Sequence, residues 1–359
     1  GASISMLVGL SIMIGSFRLT VGQWVSQTAV ADVYVLPASG PTSGSGSILP
    51  TQVVTGAAKI PGVKAVDPYR YVPFNFRGGE AVIVARLASV MIEHGAYHIR
   101  RGNIVDAVRR MARENGALIS GPYAEKYHLQ EGDRFSLPTP AGPVPFRVEG
   151  VFEDYTSDQG TVVLALERYR LLWHDPAVNS VALFTQKGVN STLLADRVAS
   201  AFPTLSLIIH TNAELRKEIL RIFDQTFRVT YALETVAVLV ALMGIASTLI
   251  TLVLQRLRQL ATLRALGASR PQIAFAIMVE AAIIAGIAWV LGSVSGVALA
   301  AELIYVVLPG FFHWTVQLSW PLATFGWSLA LVLPSSLAAA VVPALAASRV
   351  EISRALRTE

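Results

Sequence analysis

The chain has no cysteine, which excludes disulfides, cysteine nucleophiles and thiolate metal sites but leaves its compartment open, since a large domain can fold without disulfides. It has no Gly-x-x-x-x-Gly-Lys-Ser/Thr stretch, so it carries no evident means of binding and hydrolysing ATP by itself. A Gly-x-Ser-x-Gly elbow that would present a serine nucleophile is missing too, which sets a membrane hydrolase aside. Histidine is scarce, and its densest grouping is Glu93, His94 and His98. Histidines at that spacing can share a helix face as zinc ligands do, but the order is not His-Glu-x-x-His and Gly95 weakens a helix there. No metal site is expected.

What is present is largely apolar. Hydrophobic residues make up 53% of the 359 and charged ones 15%, which is too apolar for most soluble enzymes and too polar for a chain made only of membrane spans. The net charge is +5, and the arginines gather near the ends of apolar runs, so they speak for topology rather than for nucleic-acid binding. Four apolar runs, 1–17, 229–254, 271–308 and 320–347, answer to the roughly 20 residues a spanning helix needs. The first is short and begins without methionine, as a clipped span would. A signal peptide is disfavoured, because no basic region precedes the run and no small-residue cleavage site comes before Arg18 and Trp24. The third run is longer than one span needs. The fourth contains Pro334 and Pro343, which should kink it or loosen its end.

Charge in the connections orients these runs. Residues 309–319 hold no Lys or Arg, but Phe311, Phe312 and Trp314, with Trp320 just beyond, form an outer aromatic belt. The tail, 348–359, has Arg349, Arg354 and Arg357 and is expected in the cytoplasm together with the N-terminus. Residues 18–228 then face outward as one domain of ordinary size. Strand patterns at 31–36, 63–73, 81–85, 134–137, 144–151 and 161–165, with helical patterns at 104–115 and 192–202, make it α+β. The expected fold is a membrane protein with four transmembrane α-helices. A large α+β extracytoplasmic domain, a βαβ-type part plus a β-rich subdomain at 129–166, lies between helices 1 and 2. A helical pattern at 212–227, without proline or glycine, should run into the second span as a stiff rod.

The most informative stretch is 255–273, QRLRQLATLRALGASRPQI, wedged between two apolar runs. Arg256, Arg258, Arg264 and Arg270 belong in water on the cytoplasmic side. Leu257, Leu260, Ala261, Leu263, Ala265 and Leu266 recur at helical spacing, so a short helix can show one apolar and one arginine face to a soluble partner. The same composition also fits a loop that only fixes topology. Ser269 as N-cap with Pro271 and Gln272 is a helix start. In the third span, Glu280 should lie near the inner interface, be neutral, or pair within the bundle, a structural contact being favoured over a proton relay. Gly292-Ser293-Val294-Ser295-Gly296 offers a small-residue face for close contact with a helix of this chain or of a second copy.

These residues carry a resemblance. The run from Ala261 to Ser269 resembles the cytoplasmic coupling segment of FtsX-like permeases, the group that includes MacB-like exporters and lipoprotein-releasing transporters. Glu280-Ala281-Ala282 followed by Gly292 and Gly296 is similar to the family's glutamate and small-residue helix. Residues 343–349 and 355–357 are similar to its usual C-terminus. In order of elements the resemblance covers nearly the whole chain. It departs at Gln259, where the family usually has glutamate, and near Ile352, where it usually has proline. The resemblance implies ATPase coupling through Arg256, Arg258, Gln259, Leu260, Ala261, Leu263, Arg264, Ala265, Leu266, Gly267, Ala268 and Ser269, and helix packing at Glu280, Gly292 and Gly296. It further implies a dimeric cytoplasmic ABC ATPase that itself binds ATP and magnesium, with no cofactor in this chain and no nucleic acid. Membrane lipid, an extracytoplasmic adaptor or substrate protein, and a second permease unit in a preceding N-terminal half are the other partners implied. The place it implies is the bacterial inner membrane. The family moves hydrophobic or lipid-linked substrates, or signals across the membrane to a partner such as a cell-wall hydrolase, and the sequence does not choose between these uses.

Overall fold

A computed structural model describes residues 2–38, 46–95, 97–155, 159–256, 259, 262–263, 266–312, 316–320 and 322–348. The chain divides into two compact units, a sheet unit of Thr20–Phe223 with Leu308–Thr315, and a helical unit of Gly1–Leu19, Asp224–Val307 and Val316–Glu359.

The elements of the sheet unit are β1 (Val33–Pro37), α2 (Thr51–Ala57), β2 (Val63–Phe76), β3 (Gly79–Arg86), α3 (Ala88–His94), α4 (Ile104–Arg113), β4 (Gly116–Ser120), α5 (Gly121–Tyr127), β5 (Arg134–Thr139), β6 (Gly142–Phe152), β7 (Thr161–Ala165), α6 (Leu166–Trp173), β8 (Ser180–Thr185), α7 (Ser191–Ala201) and β9 (Leu207–Thr211), followed by α8 (Asn212–Thr226). The strands form one sheet in the order β5-β6-β4-β7-β3-β2-β8-β1-β9. Central β4 and β7 are buried at every residue, as expected of strands covered on both faces. Alternation sends Ile83, Ile119, Val162 and Leu164 to a core with α5 and α6, and Val84, Leu118 and Val163 to a core with α3 and α4. The β2–β3 hairpin turns on Arg77 and Gly78, both at positive φ (46° and 82°), the backbone that a two-residue turn matching strand twist demands.

The expected β-rich subdomain at 129–166 is not a separate body. Its strands β5, β6 and β7 lie in the common sheet, β6 parallel to β4 and β7 parallel to β3. The physical reason is that Phe135, Leu137, Phe146 and Val148 share one core with Ile83, Ile119 and Tyr123. The long β2 joins the two wings of the sheet: its first half pairs with β8 and its second with β3. At that joint the guanidinium of Arg86 donates to Asp67 at 2.7 and 3.0 Å, and Asp67 also accepts the Leu87 N–H at 3.2 Å. The Arg86 guanidinium stacks 4.4 Å from the Tyr69 ring, and the Arg86 and Asp67 side chains are 1% and 0% exposed.

In the helical unit, α1 (Ala2–Thr28), which contributes residues to both units, runs on past the expected end near Phe17. Between Arg18 and Thr28 Gly22 is the one strongly helix-disfavouring residue and no proline intervenes. The expected rod at 212–227 ends one residue early: α8 stops at Thr226, Phe227 stands in a turn, and α9 (Arg228–Gln255) follows. The Phe227 ring meets Phe17 edge-on at 6.1 Å, and Arg18 pairs with Asp224 at 3.2 Å. Next come α10 (Arg270–Glu302), a π-helical stretch Leu303–Val307, α11 (Leu308–Phe312) and α12 (Leu322–Ser348). Among the described residues, Ile4–Ser26 and Arg270–Gly310 are long and apolar enough to cross a bilayer, and a shorter apolar helix covers Phe325–Val341. The 28 residues of α9, rising about 1.5 Å each, outreach a hydrocarbon core of about 30 Å.

α12 packs against both α10 and α9, whereas α9 and α10 barely touch. Ile4, Val8 and Ile12 of α1 share a core with Ala285 and Ala300 of α10 and Val332 of α12. Within that apolar setting the Trp289 N–H donates to the Ser328 hydroxyl at 3.0 Å, satisfying a polar group that lipid cannot.

Candidate functional site

The candidate site is the elbow between α9 and α10. α9 ends at Gln255 and Arg256 follows in a turn. Gln259, Thr262 and Leu263 are helical and exposed. The Leu266 N–H donates to the Thr262 carbonyl and the Ala268 N–H to the Leu263 carbonyl, each at 3.0 Å. The second of these bonds spans five residues around Gly267, whose φ is +104°. This is the geometry of a helix closed by a left-handed glycine, and it explains why glycine stands there: a Cβ penalises that backbone.

Two residues later the next helix starts. The Ser269 N–H donates to Gln272 Oε1 at 2.8 Å in a capping box with Pro271 in the first turn, so the turn chemistry expected from Ser269, Pro271 and Gln272 is present. Ala268 tucks onto Ile273, Ile277 and Ala344, fixing the turn to α10 and α12. Leu263 and Leu266 remain 51% and 81% exposed, an apolar pair that no described residue is recorded as covering. Arg258, Leu260, Ala261, Arg264 and Ala265, and the tail at 349–359, lie outside the described residues.

Electrostatics tie the elbow to the third long helix. Arg256 Nη1 donates to Glu280 Oε1 at 3.2 Å, the side chains being 53% and 36% exposed. Of the three settings the sequence left open for Glu280, the structure gives a partner. That partner was not identified from sequence; the available signal was an acid in one apolar run and an arginine immediately after the preceding one. Gly292 and Gly296 are buried. A Cβ on Gly296 would lie 2.8 Å from Val8 Cβ and 2.9 Å from the Ser5 carbonyl oxygen, and one on Gly9 would lie 2.9 Å from the Gly296 carbonyl oxygen. The small-residue face therefore meets α1 of this chain, and Gly9, unremarked in the sequence, is its counterpart.

Glu93, His94 and His98 form no three-ligand group, although His94 Nε2 lies 3.7 Å from Glu93 Oε1. α3 ends at His94, Gly95 turns at φ +86°, Glu93 pairs with Lys64 at 2.9 Å and His94 stacks on Phe184 at 4.0 Å. Among the described residues no cluster of three His, Asp or Glu could hold a metal.

Residues 2–201 match the model of the MacB-like periplasmic core domain, and residues 232–352 that of the FtsX-like permease C-terminal region. A relative from Mycobacterium tuberculosis described as an uncharacterized ABC transporter permease protein is 34% identical over 99% of this chain, which spans 42% of that relative's length. Two solved structures are similar at low sequence identity. The periplasmic region of MacB from Actinobacillus actinomycetemcomitans is 13% identical, covers 54% of this chain and 95% of its own, and has a TM-score of 0.38. The extracellular domain of the noncanonic ABC-type transporter YknZ from Gram-positive bacteria is 11% identical, covers 50% and 99%, and has a TM-score of 0.33. With both of its parts matched by these family models, the chain belongs to the FtsX-like and MacB-like permeases of ABC transporters.

Proposed function

We propose that this chain is the motion-transmitting permease part of an ABC transporter that exports or extracts a hydrophobic or lipid-linked substrate. A separate cytoplasmic ATPase, working as a dimer, docks on the elbow at 255–270 and supplies the energy. The observation that carries the reading is the exposed apolar pair Leu263 and Leu266 on a turn held by the Gly267 closure and the Ser269–Gln272 cap. A merely topological loop does not need such fixing. The missing phosphate-binding loop in the sequence supports placing ATP and magnesium on the partner. In this reading the helices cross the bacterial inner membrane four times, with both ends of the chain and the elbow in the cytoplasm. The sheet unit works on the far side, where a substrate or adaptor protein meets it. A further permease unit and membrane lipid complete the assembly.

The test is purification of the tagged full-length protein from its native membrane with mass spectrometry of what accompanies it. An ABC ATPase is expected with the wild type, and Leu263→Asp/Leu266→Asp should lose it while the chain stays in the membrane. An ATPase retained by the double variant, or labelling of Thr262→Cys from outside intact cells, would refute docking at the elbow.

A further inference from the structure

The two ends of the elbow are fixed by different means. On the α10 side the fixing is local: the turn at Gly267, the cap at Ser269 and the small core of Ala268, Ile273, Ile277 and Ala344. On the α9 side, among the described residues, the helix meets α12 far more than α10. What spans that gap is the 3.2 Å bond from Arg256 to Glu280, ten residues beyond the start of α10, or about 15 Å along its axis. Both side chains are partly exposed, and a long arginine stem can lie along apolar surface while its head reaches a carboxylate.

We propose that Arg256 and Glu280 are a positioning pair for coupling, a charge clasp that makes α9 and α10 move as one when the elbow is displaced. This rests on the reading of the elbow as the ATPase dock. With the clasp closed, displacement of the elbow is delivered to both helices. With it open, only α10 follows, through its local cap, and the sheet unit receives half of the drive.

The absence of native cysteine makes the geometry testable on its own. In native membranes, Arg256→Cys/Glu280→Cys is expected to join within one chain through a bis-maleimide long enough to replace the two side chains; no such link would overturn the clasp whatever the ATPase does. In the purified complex, reconstituted in phosphatidylethanolamine–phosphatidylglycerol vesicles, Arg256→Glu and Glu280→Arg should each lower severalfold, the size of an ordinary coupling energy, the ATP-dependent change in maleimide labelling of a cysteine introduced in α8. Combining them reverses both charges and should restore it to within about twofold. A merely structural role would not predict rescue by the swap. Unaffected single variants, or a double variant as impaired as the singles, overturn the clasp while co-purification still upholds the dock. A wild-type preparation that brings no ATPase sinks the dock and the clasp with it.

Discussion

Two arginine–carboxylate pairs in this molecule show how setting decides what one chemistry does. In the sheet unit, Arg86 and Asp67 are 1% and 0% exposed and close the joint where β2 passes from β8 to β3. In the helical unit, Arg256 and Glu280 are 53% and 36% exposed and span two helices that scarcely pack. Water scarcely reaches the buried pair. Tyr34 beside it is pushed up to about 12 by burial and Tyr69 well above its ordinary value for the same reason, so neither tyrosine ionises to replace Asp67. Asp67→Asn, which strands a buried guanidinium, is expected to cost about 3–5 kcal/mol, read as a large fall in the unfolding midpoint of the purified chain. Asp67→Leu/Arg86→Met, which removes both charges, should recover most of that loss. A double variant as unstable as the single would mean that the pair holds the joint by charge and not merely by mutual satisfaction.

The next effects concern backbone approach rather than charge. Gly296→Leu places side-chain atoms where Val8 Cβ would already lie 2.8 Å from a Cβ, and overpacking of that kind costs about 1–3 kcal/mol. Loss of a cross-link between cysteines introduced on α1 and α10 would report it; an unchanged link would mean that the contact is soft. At the elbow, Gly267→Ala forces a side chain onto a φ of +104°, at about 1–2 kcal/mol. Faster hydrogen exchange at the amides of Leu266 and Ala268 is the expected sign, since those are the two bonds that the turn closes.

Legibility in the sequence followed the same division. Alternating or β-branched runs such as 144–151 and 161–165 correspond to β6 and β7, and Ser269, Pro271 and Gln272 announced the start of α10, because local pattern and local chemistry decide such features. β4, GALIS, was not seen: five residues buried on both faces have no period to read. Nor was the common sheet, since the pairings of β6 with β4 and β7 with β3 are made by residues far apart in the chain. The rod at 212–227 read as unbroken because nothing in its composition marks Phe227, whose turn lies where its ring meets Phe17. At the candidate site the proposed docking face rests on the arginines and leucines of the sequence, while Arg256–Glu280 depends on how α9 and α10 return past each other around α12.

The smallest effect on stability is expected where the proposed effect on coupling is large. Arg256→Gln keeps most of the apolar stem and a donor, removes the charge, and leaves Glu280 36% exposed to its surroundings rather than sealed in a core. An exposed ion pair contributes about 0–1 kcal/mol, so the unfolding midpoint should scarcely move, in contrast to Asp67→Asn. Both variants remove one partner of a bidentate-capable arginine pair; only the buried one leaves a charge that water cannot reach. If Arg256→Gln instead destabilises the chain as much as Asp67→Asn does, then the elbow pair is buried in the assembled membrane protein, and the contrast between an exchangeable clasp and a permanent joint fails at its first term.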